Sequence, residues 1–204
     1  IALHQAGFTQ AVASLGTAFT SGQANLLRRY TKDVLLAYDS DGAGTKAALR
    51  AIQILRETGL ASKVINMKPY KDPDEFIKNL GTEEFRNRID EAENSFLFQV
   101  RITEQGFDMK DPDGRTRFYR EVARLLAEFS DEIERENYLT AVASKYGVPR
   151  DSLREQVSKN AMQGEVKPMQ RPQSAMGAAK AKAEDNKRKP QQLLLTWLAE
   201  EPQL

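Results

Sequence analysis

The chain has 204 residues, with 30 Lys and Arg against 29 Asp and Glu, and it has no cysteine. The formal net charge of +1 and the pI of about 8.1 exclude a protein that is basic throughout, so any nucleic-acid surface must be local. The lack of cysteine excludes a disulfide framework, and no apolar run approaches the roughly 18 residues of a membrane span. The length suffices for one domain or two small ones.

The first 81 residues alternate between strand and helix patterns. Thr20 and Gln23 have the spacing of a capping box at the start of the first of these helices. Apolar runs predict strands at 11–15, 34–38 and 64–67, and a second helix is expected at 45–58. Strands joined by single helices require right-handed crossovers, so the pattern predicts a parallel sheet in an α/β fold.

From residue 82 onward the pattern is helical only. Amphipathic stretches predict helices that begin near residues 82, 95, 112, 131 and 148, with Ser130 as the cap of the fourth. Residues 159–190 lack apolar periodicity and are rich in Lys, Arg, Ala, Gln and Pro, which is typical of a disordered basic linker. An apolar, helix-like patch follows within 191–204.

Two carboxylates, Asp39 and Asp41, follow directly on the apolar run 34–38. They are expected at the carboxyl end of a buried strand, where open α/β sheets place their ligands. Hard oxygen ligands without a nearby His or Cys favour Mg²⁺ or Mn²⁺ over zinc. The alternative is that both side chains only cap the helix that is expected to start near Thr45, and the motif alone does not decide between the two.

Spacing removes three other interpretations of this motif. An EF-hand loop needs an oxygen ligand where Ala43 stands and a glutamate where Arg50 stands. A phosphotransferase of the haloacid-dehalogenase type needs a threonine at the Ala43 position. A P-loop needs Gly-Lys-Ser/Thr, whereas residues 44–46 read Gly-Thr-Lys. The Asp-x-Asp of Toprim domains remains.

A second acidic cluster, with Asp72, Asp74 and Glu75, follows the third predicted strand. Asp72 suits a helix N-cap before Pro73 and Glu75 can complete a capping box, but this explains Asp74 less well. Four acids at one sheet edge would repel each other, and a divalent ion would relieve that repulsion. Lys71 is the nearest candidate for a phosphate contact.

Four segments together resemble bacterial replicative DNA primases of the DnaG type. They are residues 1–8, Ala13–Ala18 with the letters ASLGTA, Tyr38–Gly44 with YDSDGAG, and Asp72–Glu75 with DPDE. The resemblance extends over residues 1 to about 160. It implies a Toprim domain at 1–81, a helical subdomain at 82–158, the linker at 159–190 and the start of a helicase-binding domain at 191–204.

The resemblance also implies an activity, which is the DNA-templated synthesis of short RNA primers by a nucleotidyltransferase that uses two Mg²⁺ or Mn²⁺ ions. Asp39 and Asp41 would be catalytic and hold the metal, Asp72 and Asp74 would orient it, and Lys71 would bind the nucleotide. The implied partners are a single-stranded DNA template, ribonucleoside triphosphates, the RNA primer and the replicative helicase, in the cytoplasm and without a membrane.

The resemblance implies three further features that this sequence lacks: a glutamate motif upstream of Ile1, a cysteine-rich zinc module, and a basic subdomain before the Toprim fold. The expectation is therefore that these residues alone synthesise little or no primer. Two alternatives stay open. One is a non-catalytic module that docks a helicase and whose acids only cap helices, and the other is part of a Toprim nuclease or topoisomerase.

Overall fold

The computed structural model describes residues 1–14 and 18–162, together with the backbone of 193–196. The chain divides into two compact units, and the division falls between Asn94 and Ser95. Within the described residues, no helix combines the length and hydropathy that crossing a membrane requires. Each unit has a hydrophobic core of its own.

The first unit is an α/β layer built on one sheet. Its elements are α1 (Ala2–Gln5), β1 (Ala11–Ala13), α2 (Ser21–Leu27), β2 (Asp33–Ala37), α3 (Gly42–Glu57), β3 (Ala61–Val64), α4 (Pro73–Asp90), β4 (Glu93–Asn94) and β5 (Leu193–Thr196). The strand order is β1-β5-β2-β3-β4, and all pairs are parallel except β3 with β4. The predicted α/β class is confirmed, with an antiparallel edge strand that the sequence pattern did not indicate.

Residues Leu193–Thr196 form strand β5, whereas a helix was expected within 191–204. It lies between β1 and β2, where Leu195 is in register with both Val12 and Leu36. A short run of leucines is compatible with either a helix or a buried strand, and periodicity cannot separate the two. The predicted linker from residue 163 to 190, and the rest of 191–204, lie outside the described residues.

The third strand is also placed differently from the prediction. It runs from Ala61 to Val64 instead of 64–67, and just past its end Ile65 N–H donates to Leu36 C=O at 2.9 Å. Ile65 and Met67 lie beyond the strand, but both are buried in the core of the first unit. The apolar run 64–67 therefore correctly indicated core residues, but it did not give the bounds of the strand.

Three phenylalanines determine where the first unit ends. Phe85 packs edge-on against Phe8 at 4.9 Å and against Phe76 at 5.9 Å between ring centroids. Phe85 lies beyond Gly81, a kink within α4 with φ of 82° that only glycine adopts easily. The residues after the kink therefore belong to the first core, which moves the unit boundary from the predicted Gly81 to Asn94.

The second unit is all helical, as predicted. It consists of α5 (Ser95–Glu104), α6 (Pro112–Ala127), α7 (Glu132–Tyr146) and α8 (Arg150–Met162). Its buried core includes Phe96, Phe118, Leu126, Phe129 and Leu139. Two details differ from the prediction: the N-cap of α7 is Asp131, not Ser130, and α8 continues past 158 to Met162.

Helices α7 and α8 are joined by one carboxylate, Glu136. It lies 2.8 Å from Arg150 Nη2 and 2.7 Å from Arg154 Nη2. Hydrogen bonds from Arg154 and then from Arg150 lower the pKa of Glu136 from 4.5 to about 2. Because the folded-state pKa is lowered, this stabilisation is present above pH 4.5 and is lost as the pH falls towards 2.

Glu136→Gln is therefore expected to lower the free energy of unfolding at pH 7 by about 1 kcal/mol, after allowance for solvent screening. The deficit should shrink as the pH falls below 4.5. Urea denaturation at pH 7 and pH 3 measures both values. Glu155→Gln, which breaks the exposed pair with Lys159, is the control and should have the smaller effect at pH 7. An equal deficit from Glu136→Gln at both pH values would contradict the assignment.

Candidate functional site

The two carboxylates of the first acidic motif have different surroundings. Asp41 is the N-cap of α3, and its Oδ1 accepts a hydrogen bond from Gly44 N–H at 2.7 Å. Asp39 is half-buried, directly after the buried Tyr38, and caps no helix. The capping interpretation is thus right for Asp41, but it does not account for Asp39. Because the cap lies at Asp41, α3 starts at Gly42 instead of near Thr45.

The second acidic cluster also begins with a cap. Asp72 is the N-cap of α4 and accepts a hydrogen bond from Glu75 N–H at 2.8 Å. The predicted capping box is displaced by one residue, because Glu75 Oε2 accepts from the N–H of Lys71 at 2.8 Å. Asp74 pairs with Lys78 at 2.6 Å along the exposed side of the helix.

A backbone hydrogen bond joins the two acidic segments. The N–H of Ser40 donates to the C=O of Lys71 at 2.8 Å. This bond places the loop that carries Asp39 and Asp41 beside the loop that carries Lys71 and Asp72. The two loops follow neighbouring parallel strands, β2 and β3, so the expected convergence at the carboxyl end of the sheet is observed.

Because the two loops lie side by side, the charged groups of both loops shift the pKa of Asp39. It is raised above its ordinary value, first by burial and then by the neighbouring charges of Asp72 and Asp41, while Lys71 lowers it. Asp74 is not among the groups that shift it. The structure therefore brings together Asp39, Asp41, Asp72 and Lys71, and it engages Asp74 with Lys78 instead.

Gly44 fixes the position of Asp39 relative to α3. A Cβ at Gly44 would collide with the backbone carbonyl of Asp39, whereas a Cβ at Gly42 would meet no atom within 4 Å. Glycine at either position would allow a sharp turn of the backbone. Only Gly44 is required for close packing, because the first turn of α3 lies directly against the end of the Asp39 loop.

The donor chemistry suits a hard divalent cation, but the described side chains do not form a closed cage. Across residues 1–14 and 18–162, no three His, Cys, Asp or Glu side chains are close enough together to hold a metal ion. Mg²⁺ is commonly held by one or two carboxylates, with water completing an octahedral shell. Asp39 and Asp41 fit that weaker mode of binding.

Aspartate N-caps of other helices show which of these acids is unusual. Asp111 of α6 and Asp131 of α7 accept hydrogen bonds from Gly114 and Glu134 N–H groups, as Asp41 and Asp72 do from theirs. Capping explains the places of Asp41 and Asp72 without any ligand. Capping does not explain the burial and charged neighbours of Asp39. Its place directly after the apolar run 34–38 is the sequence signal for it.

Comparison with known proteins places this geometry in a family. Residues 1–77 match the family model described as Toprim-like, and residues 96–151 match the model described as the DnaB-helicase binding domain of primase. A DNA primase of Clostridium acetobutylicum is 34% identical over 158 residues, which are 78% of this chain and 26% of that protein. The chain belongs to the bacterial DnaG-type DNA primases. It spans about a quarter of the length of this curated primase relative.

Solved primase structures agree with this assignment. The Aquifex aeolicus primase, solved with its zinc-binding and RNA polymerase domains, is 35% identical with a TM-score of 0.56, over 74% of this chain and 36% of that one. The DnaG primase catalytic domain bound to ssDNA is 30% identical with a TM-score of 0.62, over 74% and 49%. The helicase-binding match covers α5 to α7, whereas the sequence had suggested 191–204 for that role.

Gly44→Ala is expected to destabilise the protein by about 1–3 kcal/mol, because the added methyl group overpacks the Asp39 carbonyl. Urea denaturation gives the value. Gly42→Ala is the matched control two residues away in the same helical turn, and it should leave stability unchanged or slightly higher. Equal stabilities for the two variants would show that the contact between α3 and the Asp39 loop is not tight.

Proposed function

We propose that this primase chain contributes metal-holding carboxylates to the synthesis of short RNA primers from ribonucleoside triphosphates on a single-stranded DNA template. The observation that supports this most is Asp39, a half-buried acid with no capping role, held among Asp41, Asp72 and Lys71. Acids grouped at the ligand-binding edge of a sheet raise each other's pKa, and a bound cation would relieve that repulsion. Membership of the primase family indicates which reaction that cation serves.

Each residue has a distinct part in this proposal. Asp39 and Asp41 hold a divalent cation, which when bound stabilises negative charge on phosphate oxygens. Asp72 adds negative charge to the same edge, and the side chain of Lys71 contacts the phosphates of the incoming nucleotide. Asp74, which was expected in the ligand set, is paired with Lys78 and would act only through water.

A second function, docking of the replicative helicase, is supported by a different observation. The helicase-binding family model matches residues 96–151, which form most of the helical unit. The two functions belong to different units of the chain, so one does not exclude the other. In this proposal the primase works in the cytoplasm as part of the replication machinery.

Asp39→Asn and Asp41→Asn are each expected to weaken Mn²⁺ binding by at least about tenfold, because each removes one carboxylate ligand while keeping its shape. Isothermal titration calorimetry on the purified chain measures the affinity. Asn caps helices about as well as Asp, so α3 should remain folded in Asp41→Asn.

Asp111→Asn is the matched control for this titration. It changes the same chemical group at the same N-cap position of another helix, α6, and should leave Mn²⁺ binding within about twofold of the wild type. If all three variants bind Mn²⁺ as the wild type does, the metal site is refuted and the carboxylates are only structural.

These 204 residues alone are expected to synthesise little or no primer. Because fewer than three acidic or imidazole ligands gather at one point within the described residues, the ion at Asp39 and Asp41 would be weakly held. Incorporation of labelled ribonucleotides on a single-stranded template measures the activity. Primer synthesis at the rate of a complete DnaG-type primase would contradict this expectation.

A further inference from the structure

The helical unit carries a groove that the proposed catalytic function does not use. It lies between α6 and α8, has a volume of about 520 Å³, and is lined by Phe107, Arg117, Arg120, Glu121, Arg124, Gln156 and Asn160. That volume is in the range of pockets that bind small molecules and would admit a nucleotide. No acidic residue other than Glu121 lines it.

Three arginines follow one face of α6. Arg117, Arg120 and Arg124 are spaced three and then four residues apart, which places them on the same side of the helix. Arg124 is neutralised by Glu121 at 2.7 Å and by Glu128 at 3.2 Å. Arg117 and Arg120 are exposed and form no ion pair with any residue that the structure describes. Their two positive charges remain available to an anion.

The opposite wall of the groove, from α8, supplies amide groups. Gln156 Nε2 donates to Asn160 Oδ1 at 3.1 Å. The Asn160 side chain lines the groove although the residue is only 6% exposed, and its amide nitrogen has no acceptor among the described residues. Because Asn160 lines the groove, its amide nitrogen can donate to a ligand oxygen there.

An aromatic ring completes the lining. Phe107 is partly buried and tilted against Phe118, with ring centroids 6.0 Å apart. Guanidinium groups bind phosphate and carboxylate equally well, so the arginines alone do not identify the ligand. An aromatic ring beside two unpaired guanidinium groups is the combination by which proteins hold single-stranded nucleic acid, since bases stack on aromatic rings and phosphates contact arginine.

We propose that the groove between α6 and α8 binds the backbone of a single-stranded polynucleotide, with Arg117 and Arg120 on its phosphates and Phe107 against a base. This gives the helical unit a nucleic-acid contact separate from the carboxylate site of the first unit. This inference rests on the proposed function only because a single-stranded DNA template is what suggests a polynucleotide as the ligand. It needs no metal, so its test can be carried out in EDTA.

The test is fluorescence anisotropy of a labelled single-stranded 12-nucleotide thymidine oligomer with the full chain, at 50 mM salt and in EDTA. The double variant Arg117→Gln/Arg120→Gln is expected to bind about tenfold more weakly, because two phosphate contacts are lost. The dependence of log affinity on log salt should become shallower by about 1.4 for the same reason. Asn160→Ala should also weaken binding.

The matched control is Lys110→Gln/Arg115→Gln, which removes the same charge from exposed positions near the start of α6 that do not line the groove. It should bind within about twofold of the wild type. Equal losses in both double variants, or no loss in either, would overturn the proposal. So would a 12-residue glutamate peptide that displaces the oligomer at lower concentration than unlabelled oligomer does, since the groove would then favour an acidic protein segment. Because the assay contains no metal, failure of the carboxylate site would not affect it.

Discussion

The bond from Ser40 N–H to Lys71 C=O is the interaction on which the candidate site depends. It fastens the end of the β2 loop to the end of the β3 loop, and so brings acids that are more than thirty positions apart in sequence into one electrostatic field. Parallel pairing of β2 with β3 brings the loops to the same edge of the sheet, but pairing alone leaves their tips free. The close contact of Gly44 with the Asp39 carbonyl then fixes α3 against the same point.

The two helices that begin at this edge stabilise two of the clustered carboxylates in their charged form. Asp41 and Asp72 cap α3 and α4, so their negative charge lies at the positive ends of two helix dipoles and is hydrogen-bonded to backbone N–H groups. Asp39 has neither benefit, and it is the member of the cluster whose pKa is raised. The cost of ionising a carboxylate in this cluster therefore falls on Asp39. A perturbed pKa of this kind is typical of residues that bind a ligand.

Much of this arrangement could be predicted from the sequence, because the decisive signals are local. The apolar run before Asp39 indicated β2, and Thr20 with Gln23 indicated a capping box that the structure contains. The amphipathic stripes of α6 and α7 indicated a helical unit. The resemblance to primases, carried by short motifs, led to the family that the comparisons support.

What sequence reasoning missed depends on long-range contacts. The pairing of Asp74 with Lys78 competes with a role at the sheet edge, and a motif cannot show which partner a side chain takes. Phe85 packs in the first core through its contacts with Phe8 and Phe76, and no local sequence pattern after Gly81 indicates those contacts. Strand β5 was mistaken for a helix because its partners, β1 and β2, are remote in sequence.

We propose that Asp39 and Asp41 form a divalent-cation site at the junction of the β2 and β3 loops. Paramagnetic broadening of backbone amide NMR signals by substoichiometric Mn²⁺ tests it most directly, because it locates the ion without requiring catalysis. If the ion lies there, signals from residues 39–44 and 70–75 broaden first. Broadening that begins instead at other acidic surfaces, such as Glu83 and Glu84 of α4 or the first turn of α7, would contradict it.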